Sequence, residues 1–250
     1  MKTLSPTQQK IRDFFKSIIT YNNATKEETH NFLHNCIKYV FEENGLDIKD
    51  FDITIHKDLK ASEIDCDGQM TADDNNPKKF DFCFKHNFFK IRNATDVDRL
   101  MYPIYVFFHE IGHMMQDILK PDEIEVFDEE KLVSEKALIE MKLEKHKDKE
   151  KRLLIKALAK FNNAQCYIGP MEKDADRQSY LYLHKLLLTL LAFEQDEDMI
   201  EYLIILFNDL QYTRKQEFII YRKYSKLNRE ALEVLKENKL DMDLDLVVLD

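Results

Sequence analysis

The chain has 250 residues, of which 44% are hydrophobic and 34% charged, and its formal net charge at pH 7 is −10. This composition can supply a substantial core, in one large domain or two closely packed lobes, and no Gly/Ser/Pro-rich linker divides the chain. The negative charge, without a concentrated basic stripe, argues against a primary nucleic-acid partner and against attachment to an anionic membrane.

The location of the protein is predicted from its ends, its apolar runs and its cysteines. The N-terminus shows no apolar run of the signal-peptide type, and no apolar stretch reaches the length of a membrane span. Cys36, Cys66, Cys83 and Cys166 are widely spaced and include no CxxC pair, which favours reduced thiols. We therefore expect a cytoplasmic protein.

The first half of the chain predicts two helices followed by three short strands. The helices cover residues 7–20 and 25–43, the second opened by a capping box at Thr25 and closed by Asn44-Gly45. Alternation of apolar and polar residues predicts strands at 51–56 and 80–85, with another at 68–72. Turn-forming residues at 73–77 would join the last two strands.

The next predicted element is a helix from Pro103 to about Lys120. Pro103 suits the first turn, and Pro121 cannot continue the helix. Gly112 in its interior predicts that another segment approaches the helix closely. His109, His113 and Gln116 fall on the face beside the apolar one. The apolar residues at helical spacing, which predict the core stripe, are Ile104, Phe107, Phe108, Ile111, Met115 and Ile118.

Residues 109–113 of this helix read His-Glu-Ile-Gly-His, the HExxH pattern. His109 and His113 are four apart, so both imidazoles project from one helix face and can bind a single Zn²⁺. Glu110 lies one step round the helix, where it can take a proton from water at the metal as a general base. The competing interpretation is an ordinary amphipathic helix with solvated or hydrogen-bonded histidines.

A catalytic zinc site also needs a third protein ligand, for which Glu172 is the preferred candidate. Gly169 and Pro170 predict the start of a helix on which Glu172 and Asp176 share one face. Asp176 could then accept the second N–H of a ligating histidine. The competing interpretation of Glu172 and Asp176 is a solvated acidic pair at a helix N-terminus.

Other acidic residues are alternatives to Glu172 as third ligand. Glu135 is a contender because it follows His113 by 22 residues. Three nearer acids follow the HExxH helix too closely to fold back easily: Glu123, Glu125 and Asp128.

The HExxH motif followed by Glu-x-x-Ala-Asp at 172–176 resembles the gluzincin metallopeptidases. The segment 172–177 is similar to the ExxxD element of HtpX-type and CAAX-type peptidases, and the same logic is found in the ImmA/IrrE-type family of small intracellular proteases. The resemblance implies a zincin-like core with a small β-sheet packed on the HExxH helix, in an α+β, mainly helical fold. It implies Zn²⁺ held by His109, His113 and Glu172, with Glu110 as general base and a protein or peptide as substrate.

Zincins usually bind an extended substrate along an edge strand of this sheet, and the strand at Phe80–Phe84 resembles that edge. An equally open interpretation is a plain hairpin that only completes the core. The donor that stabilises the developing oxyanion is also left open among Tyr167, Tyr180 and His184.

The second half of the chain predicts a helical C-terminal part. Helices are expected at 129–146, 150–163, 171–193, 197–210 and 214–238, and residues 241–246 alternate like a strand or form an acidic tail. We expect one catalytic unit, in which residues 1–120 supply the sheet and the HExxH helix and residues 121–250 supply the third ligand. The alternative function is a non-catalytic helical interaction or regulatory protein with a zincin-like core.

Overall fold

The fold is α+β and mainly helical, as predicted. The computed structural model describes residues 3–21, 24–60, 67–73, 75–86, 88–89, 97–122 and 149–237. The helices in these ranges are α1 (Pro6–Tyr21), α2 (Lys26–Glu43), α3 (Val97–Leu119), α4 (Lys149–Ile168), α5 (Pro170–Phe193) and α6 (Glu197–Glu237). The strands are β1 (Asp52–Leu59), β2 (Gly68–Asp73) and β3 (Asn76–Lys85), and a short 3-10 helix covers Ile48–Asp50.

The capping residues of α2 have the predicted roles. The Thr25 hydroxyl accepts a hydrogen bond from the Glu28 N–H at 3.1 Å, while the Glu28 carboxylate accepts one from the Thr25 N–H at 2.7 Å. At the other end, Asn44 is the C-cap and Gly45 has a φ of 70°, a left-handed conformation that costs glycine little. The prediction of a capping box and an Asn-Gly end is confirmed.

The three strands form one mixed sheet in the order β1-β3-β2. β3 runs parallel to β1 and antiparallel to β2, and it buries Phe80, Phe82 and Phe84 on one face. β3 is therefore the central strand, and the interpretation of Phe80–Phe84 as a substrate-binding edge is wrong. The prediction of a hairpin is confirmed in its strand pairing, because β2 and β3 pair antiparallel. Among the described strands, β2 is the edge strand of this hairpin.

Helix α3 packs on this sheet through aromatic side chains. The ring centroid of Phe107 lies 5.5 Å from that of Phe82 and 5.5 Å from that of Phe84. α3 begins at Val97, so the predicted start at Pro103 is wrong. Met101 is fully buried, so the apolar stripe extends one turn further towards the N-terminus. The free energy gained by this burial offsets the loss of one helical hydrogen bond, because Pro103 has no N–H to donate to the Arg99 carbonyl.

Contacts divide the chain into two compact units, one comprising residues 1–120 and 174–215 and the other residues 121–173 and 216–250. The core of the first unit is built from α1, α2, β3, α3, α5 and the first half of α6. In the second unit, α4 and the second half of α6 share a smaller apolar cluster that includes Leu158, Phe161 and Leu235. The sequences of α5 and α6 each contribute to both units.

The C-terminal helices differ from the predicted ones mainly in length. The residues predicted as helices at 197–210 and 214–238 form one continuous helix, α6, because Gln211, Tyr212 and Thr213 include no glycine or proline to interrupt it. The predicted helix at 129–146 and the segment 241–246 lie outside the described residues. No helix in the described ranges is both long enough and apolar enough to cross a membrane.

Candidate metal centre

The HExxH residues lie in the middle of α3, on the side of the helix next to its buried stripe. Phe107, Phe108 and Ile111 are fully buried, while the His109 side chain keeps 18% of its surface exposed. Glu110 is 8% exposed, which is unusual burial for a carboxylic acid. The two imidazoles thus lie at the boundary between core and solvent, where a small molecule can reach them.

His109 is held by an acid on α5. Its Nδ1 atom lies 2.6 Å from Oδ1 of Asp176. An ionised carboxylate can only accept a hydrogen bond, so Nδ1 is the donor and Nε2 of the same ring carries a lone pair in the neutral imidazole. The contact therefore determines both the direction in which the ring points and the nitrogen that can bind a metal.

His113 makes an analogous contact with its own helix. Its Nδ1 atom lies 2.9 Å from Oε1 of Gln116, three residues along α3. The other end of the Gln116 amide donates to Oδ2 of Asp174 at 3.3 Å. With Gln116 in this orientation Nδ1 of His113 is the donor, and Nε2 is again the atom with the lone pair.

The two Nε2 atoms face each other at 3.1 Å, and a carboxylate oxygen of Glu172 lies close to both. One potential ligand atom from each of His109, His113 and Glu172 falls within 4.8 Å of the other two. Lone pairs that converge at this distance repel one another unless a cation or a proton lies among them. Two imidazole nitrogens and one carboxylate oxygen are a donor set that suits Zn²⁺, so the residues present fit such an ion.

Glu110 points to the sheet rather than to α5. Its Oε2 atom accepts a hydrogen bond from the backbone N–H of Met70 in β2, at 2.8 Å. Hydrogen bonds from a backbone N–H favour the ionised form of a carboxylate. The arrangement gives the carboxylate a fixed position next to His109 in sequence and beside the outer strand of the sheet.

Two glycines allow the close approach of these elements. A Cβ atom on Gly112 would lie 2.9 Å from the Cα of Ala175, so α5 crosses α3 directly over this residue. A Cβ atom on Gly68 would lie 2.5 Å from a ring carbon of Phe84 and 3.1 Å from a methyl carbon of Val106, so β2 also lies against α3. The prediction that Gly112 admits another segment is confirmed, and that segment is α5.

Further hydrogen bonds lock α5 onto α3 at this crossing. The Tyr105 hydroxyl donates to the Asp176 carbonyl at 3.1 Å, and the buried Ser179 hydroxyl donates to the Tyr105 carbonyl at 3.1 Å. Since α5 is one continuous helix, these bonds also determine the position of its first turn, which carries Glu172.

Several predicted site residues are placed elsewhere or lie outside the description. Tyr180 accepts a hydrogen bond from Gln211, and its ring centroid lies 5.3 Å from that of His184. His184 follows Glu172 by twelve residues, about 18 Å along the helix axis. Tyr167 stacks on Tyr224 within the second unit. The structure thus does not bring Tyr180 or His184 to the histidines. The four acids that are alternatives to Glu172 as third ligand lie outside the described residues: Glu123, Glu125, Asp128 and Glu135.

Two residues of the centre were missed as participants by sequence reasoning. The sequence places Gln116 on the correct helix face without indicating a role for it, and it indicates nothing about Asp174. The spacing held a signal for Gln116, because a residue three positions after His113 lies beside it on a helix. No comparable signal identified Asp174, whose contact with Gln116 depends on how α5 crosses α3.

Comparison with protein-family models, curated proteins and solved structures gave no match. Any functional conclusion therefore comes from the geometry of the centre and its chemistry.

Proposed function

We propose that the protein is a zinc-dependent metallopeptidase of the gluzincin type. The observation that carries the proposal is the convergence of His109, His113 and Glu172 on one point, with the HExxH glutamate next to the first of these residues. A purely structural zinc site has no use for Glu110, since such sites are closed by four protein ligands. In the described residues the group contains three, which is the number of protein ligands that catalytic zinc sites use together with water or substrate.

The residues of the chain have distinct roles in this proposal. His109, His113 and Glu172 hold the ion, and Asp176 orients His109. The chemistry supplied by zinc is that of a Lewis acid, which activates water near neutral pH and polarises a carbonyl oxygen. Glu110 accepts a proton from the attacking water and delivers it to the leaving amine. The Met70 N–H orients the Glu110 carboxylate for the first of these transfers.

The geometry also supports a peptide as the substrate class. Among the described strands β2 lies at one edge of the sheet, and its Met70 backbone contacts Glu110 directly. An extended peptide that adds to β2 on the side away from β3 would carry its backbone past the general base and the metal ligands. β2 thus takes the role that the sequence suggested for Phe80–Phe84, and the zincin-like core is part of this proposal.

Cytoplasmic location and narrow specificity complete the proposal. Among the described residues, the Cys36 side chain is a buried free thiol. Reduced thiols are typical of cytosolic proteins.

The test compares wild type with Glu110→Gln. Wild type stripped of metal and reloaded with Zn²⁺ should bind one equivalent by elemental analysis and should cleave members of a random peptide library, as read by mass spectrometry. Glu110→Gln should bind the same amount of zinc and cleave nothing, because the amide cannot accept the proton. Absence of zinc at near-stoichiometric level, or equal cleavage by Glu110→Gln, would refute the proposal. Zinc binding without cleavage by wild type would favour the non-catalytic alternative.

A further inference from the structure

We propose that Gln116 and Asp174 form a relay that selects the metal-binding tautomer of His113. The relay is defined by three groups in a row: the His113 imidazole, the Gln116 amide and the Asp174 carboxylate. This inference rests on the proposed metal site and adds two positioning residues to it. Neither residue touches the metal or a substrate, and both act through His113.

Asp174 sets the direction of the hydrogen bonds in the relay, because its carboxylate can only accept them. Its Oδ2 atom receives the Gln116 amide at 3.3 Å and the Gln178 amide at 2.8 Å, and Lys120 Nζ lies 3.5 Å away. Two amide donors and a cation therefore converge on one oxygen atom of this carboxylate. Asp174 is thus an anchored acceptor whose polarity does not reverse.

The anchored acceptor orients the Gln116 side chain. Gln116 is 1% exposed, so water cannot readily substitute for either of its partners. With its NH₂ group turned to Asp174, its Oε1 atom faces Nδ1 of His113 at 2.9 Å. The opposite orientation would point a carbonyl oxygen at a carboxylate, which is repulsive in a buried location.

The orientation of Gln116 in turn selects the proton position on His113. With Oε1 as acceptor, the ring proton lies on Nδ1 and the lone pair on Nε2, which faces Nε2 of His109 at 3.1 Å. If the amide reversed, its NH₂ group would meet Nδ1 and the ring proton would move to Nε2. A protonated Nε2 cannot bind a metal. Asp174 therefore acts on His113 without contacting it.

The relay makes the two ligating histidines unequal. His109 donates directly to a carboxylate on α5, whereas His113 donates to a neutral amide on its own helix. A carboxylate presents an oxygen in either orientation, whereas a reversed Gln116 amide would present its NH₂ group to His113. The hydrogen bond from Gln116 to Asp174 prevents this reversal.

The first test reads the tautomer in the full chain after removal of metal. Long-range ¹H–¹⁵N NMR spectra distinguish a proton on Nδ1 from one on Nε2, and the wild-type His113 ring should carry it on Nδ1. Gln116→Met keeps the length of the side chain without an acceptor, so the Nε2-protonated form should become populated. Gln178→Met is the matched control, because it removes a donor to the same carboxylate without contacting a histidine. An unchanged His113 tautomer in Gln116→Met would overturn the relay.

The second test uses Zn²⁺ affinity, measured by competition with a chromogenic chelator. Gln116→Met should weaken affinity about 10-fold, the lower end of the range for partners of ligating histidines. Asp174→Asn should weaken it in wild type but not further in Gln116→Met, since Asp174 acts only through Gln116. Equal effects of Asp174→Asn in both backgrounds would contradict the relay and indicate a general structural role.

A polarity swap tests the relay independently of side-chain loss. Gln116→Glu alone places two carboxylates side by side and should destabilise the protein. In the double variant Gln116→Glu/Asp174→Asn, the amide at position 174 can donate to the carboxylate at position 116, which in turn accepts a hydrogen bond from Nδ1 of His113. This variant should recover the zinc affinity of wild type. Failure of the double variant to improve on Gln116→Glu would count against the relay. If wild type binds no zinc, the proposed function fails, whereas the tautomer measurement still decides the relay.

Discussion

The Cα atom of Ala175 lies 2.9 Å from the point where a Cβ atom on Gly112 would be, and the Ala175 carbonyl oxygen lies 3.0 Å from it. Real Cβ atoms do not approach backbone atoms this closely, so the crossing of α3 and α5 requires glycine on one side. Alanine on the other side keeps the gap small. Because α3 carries two proposed ligands and α5 the third, this contact determines whether the three can meet.

We expect Gly112→Ala to lower both stability and metal affinity. The gain in helix propensity is about 1 kcal/mol, but forcing a methyl group against the α5 backbone costs roughly 1–3 kcal/mol. The separation of the helices should weaken Zn²⁺ binding about 10-fold or more, as loss of an orienting contact does. Chelator competition and urea unfolding measure the two effects.

Gly45→Ala provides the control for this substitution. Gly45 has a φ of 70° and no neighbouring atom within 4 Å of an added Cβ, so alanine there introduces backbone strain without a clash. It should lower stability by about 1 kcal/mol and leave zinc affinity unchanged. Equal zinc affinity of Gly112→Ala and wild type would show that the crossing does not govern the site.

Gly68→Ala should separate catalysis from metal binding. The added Cβ would lie 2.5 Å from the Phe84 ring on β3 and 3.1 Å from the Val106 side chain on α3, so we expect β2 to shift and the Met70 contact to Glu110 to lengthen. The proposed ligands lie on α3 and α5, so zinc affinity should be retained while peptide cleavage falls. Loss of zinc affinity in parallel with cleavage would mean that β2 supports the whole centre rather than the general base.

Asp176 variants should weaken metal binding in a graded way. Asp176→Ala leaves His109 Nδ1 without its acceptor and should raise the zinc Kd by about 10- to 100-fold. Asp176→Asn can still present a neutral oxygen to the imidazole, so its effect should be smaller. Asp196→Asn removes the same charge beside Lys16 and should leave zinc binding intact. A zinc Kd for Asp176→Ala equal to that of Asp196→Asn would exclude the role assigned to Asp176.

The Arg12–Glu194 ion pair should make stability depend on pH in acid. The two nitrogens of Arg12 donate to both oxygens of Glu194, at 2.6 and 2.8 Å, and this lowers the pKa of Glu194 from its ordinary value of 4.5 to about 2. A lowered pKa in the folded state contributes stability above pH 4.5, which is lost as the pH falls towards 2. The shift corresponds to roughly 3 kcal/mol for a side chain that is only 2% exposed.

Urea unfolding of the metal-free protein at pH 6 and pH 3 measures this contribution. Wild type should lose more stability between the two pH values than Glu194→Gln, which does not titrate. Lys16→Met removes the nearby ion pair between Lys16 and Asp196, which is more exposed and is screened by solvent. The stability of this variant should depend on pH as that of wild type does. An identical pH dependence of wild type and Glu194→Gln would rule out this ion pair as the source.

Features that depend on local sequence were predictable, whereas those that depend on strand order and helix crossing were not. The capping box at Thr25, the end of α2 at Asn44-Gly45 and the close contact at Gly112 follow from side-chain size and hydrogen-bonding groups along a few residues. Alternation in Phe80–Phe84 predicted a strand but could not distinguish a central strand from an edge, since both bury one face.

The predicted start of α3 is wrong because the apolar stripe of the helix continues N-terminal to Pro103. Pro103 favours a first turn, yet Met101 continues the buried stripe N-terminal to it, and the helix begins at Val97. Asp174 could not have been assigned from the sequence, because its partner Gln116 is 58 residues away and lies on another helix.

Helix α5 presents acids at alternate positions, and each meets a different group: Glu172 the facing imidazole nitrogens, Asp174 the Gln116 amide, and Asp176 the other side of His109. A slide of α5 along α3 by one residue would move every acid by about 1.5 Å and break these contacts together. Ala175 lies between Asp174 and Asp176 and packs directly against Gly112, and this close contact opposes such a slide. We therefore expect the proposed ligands and the residues that orient them to form their contacts together and to lose them together.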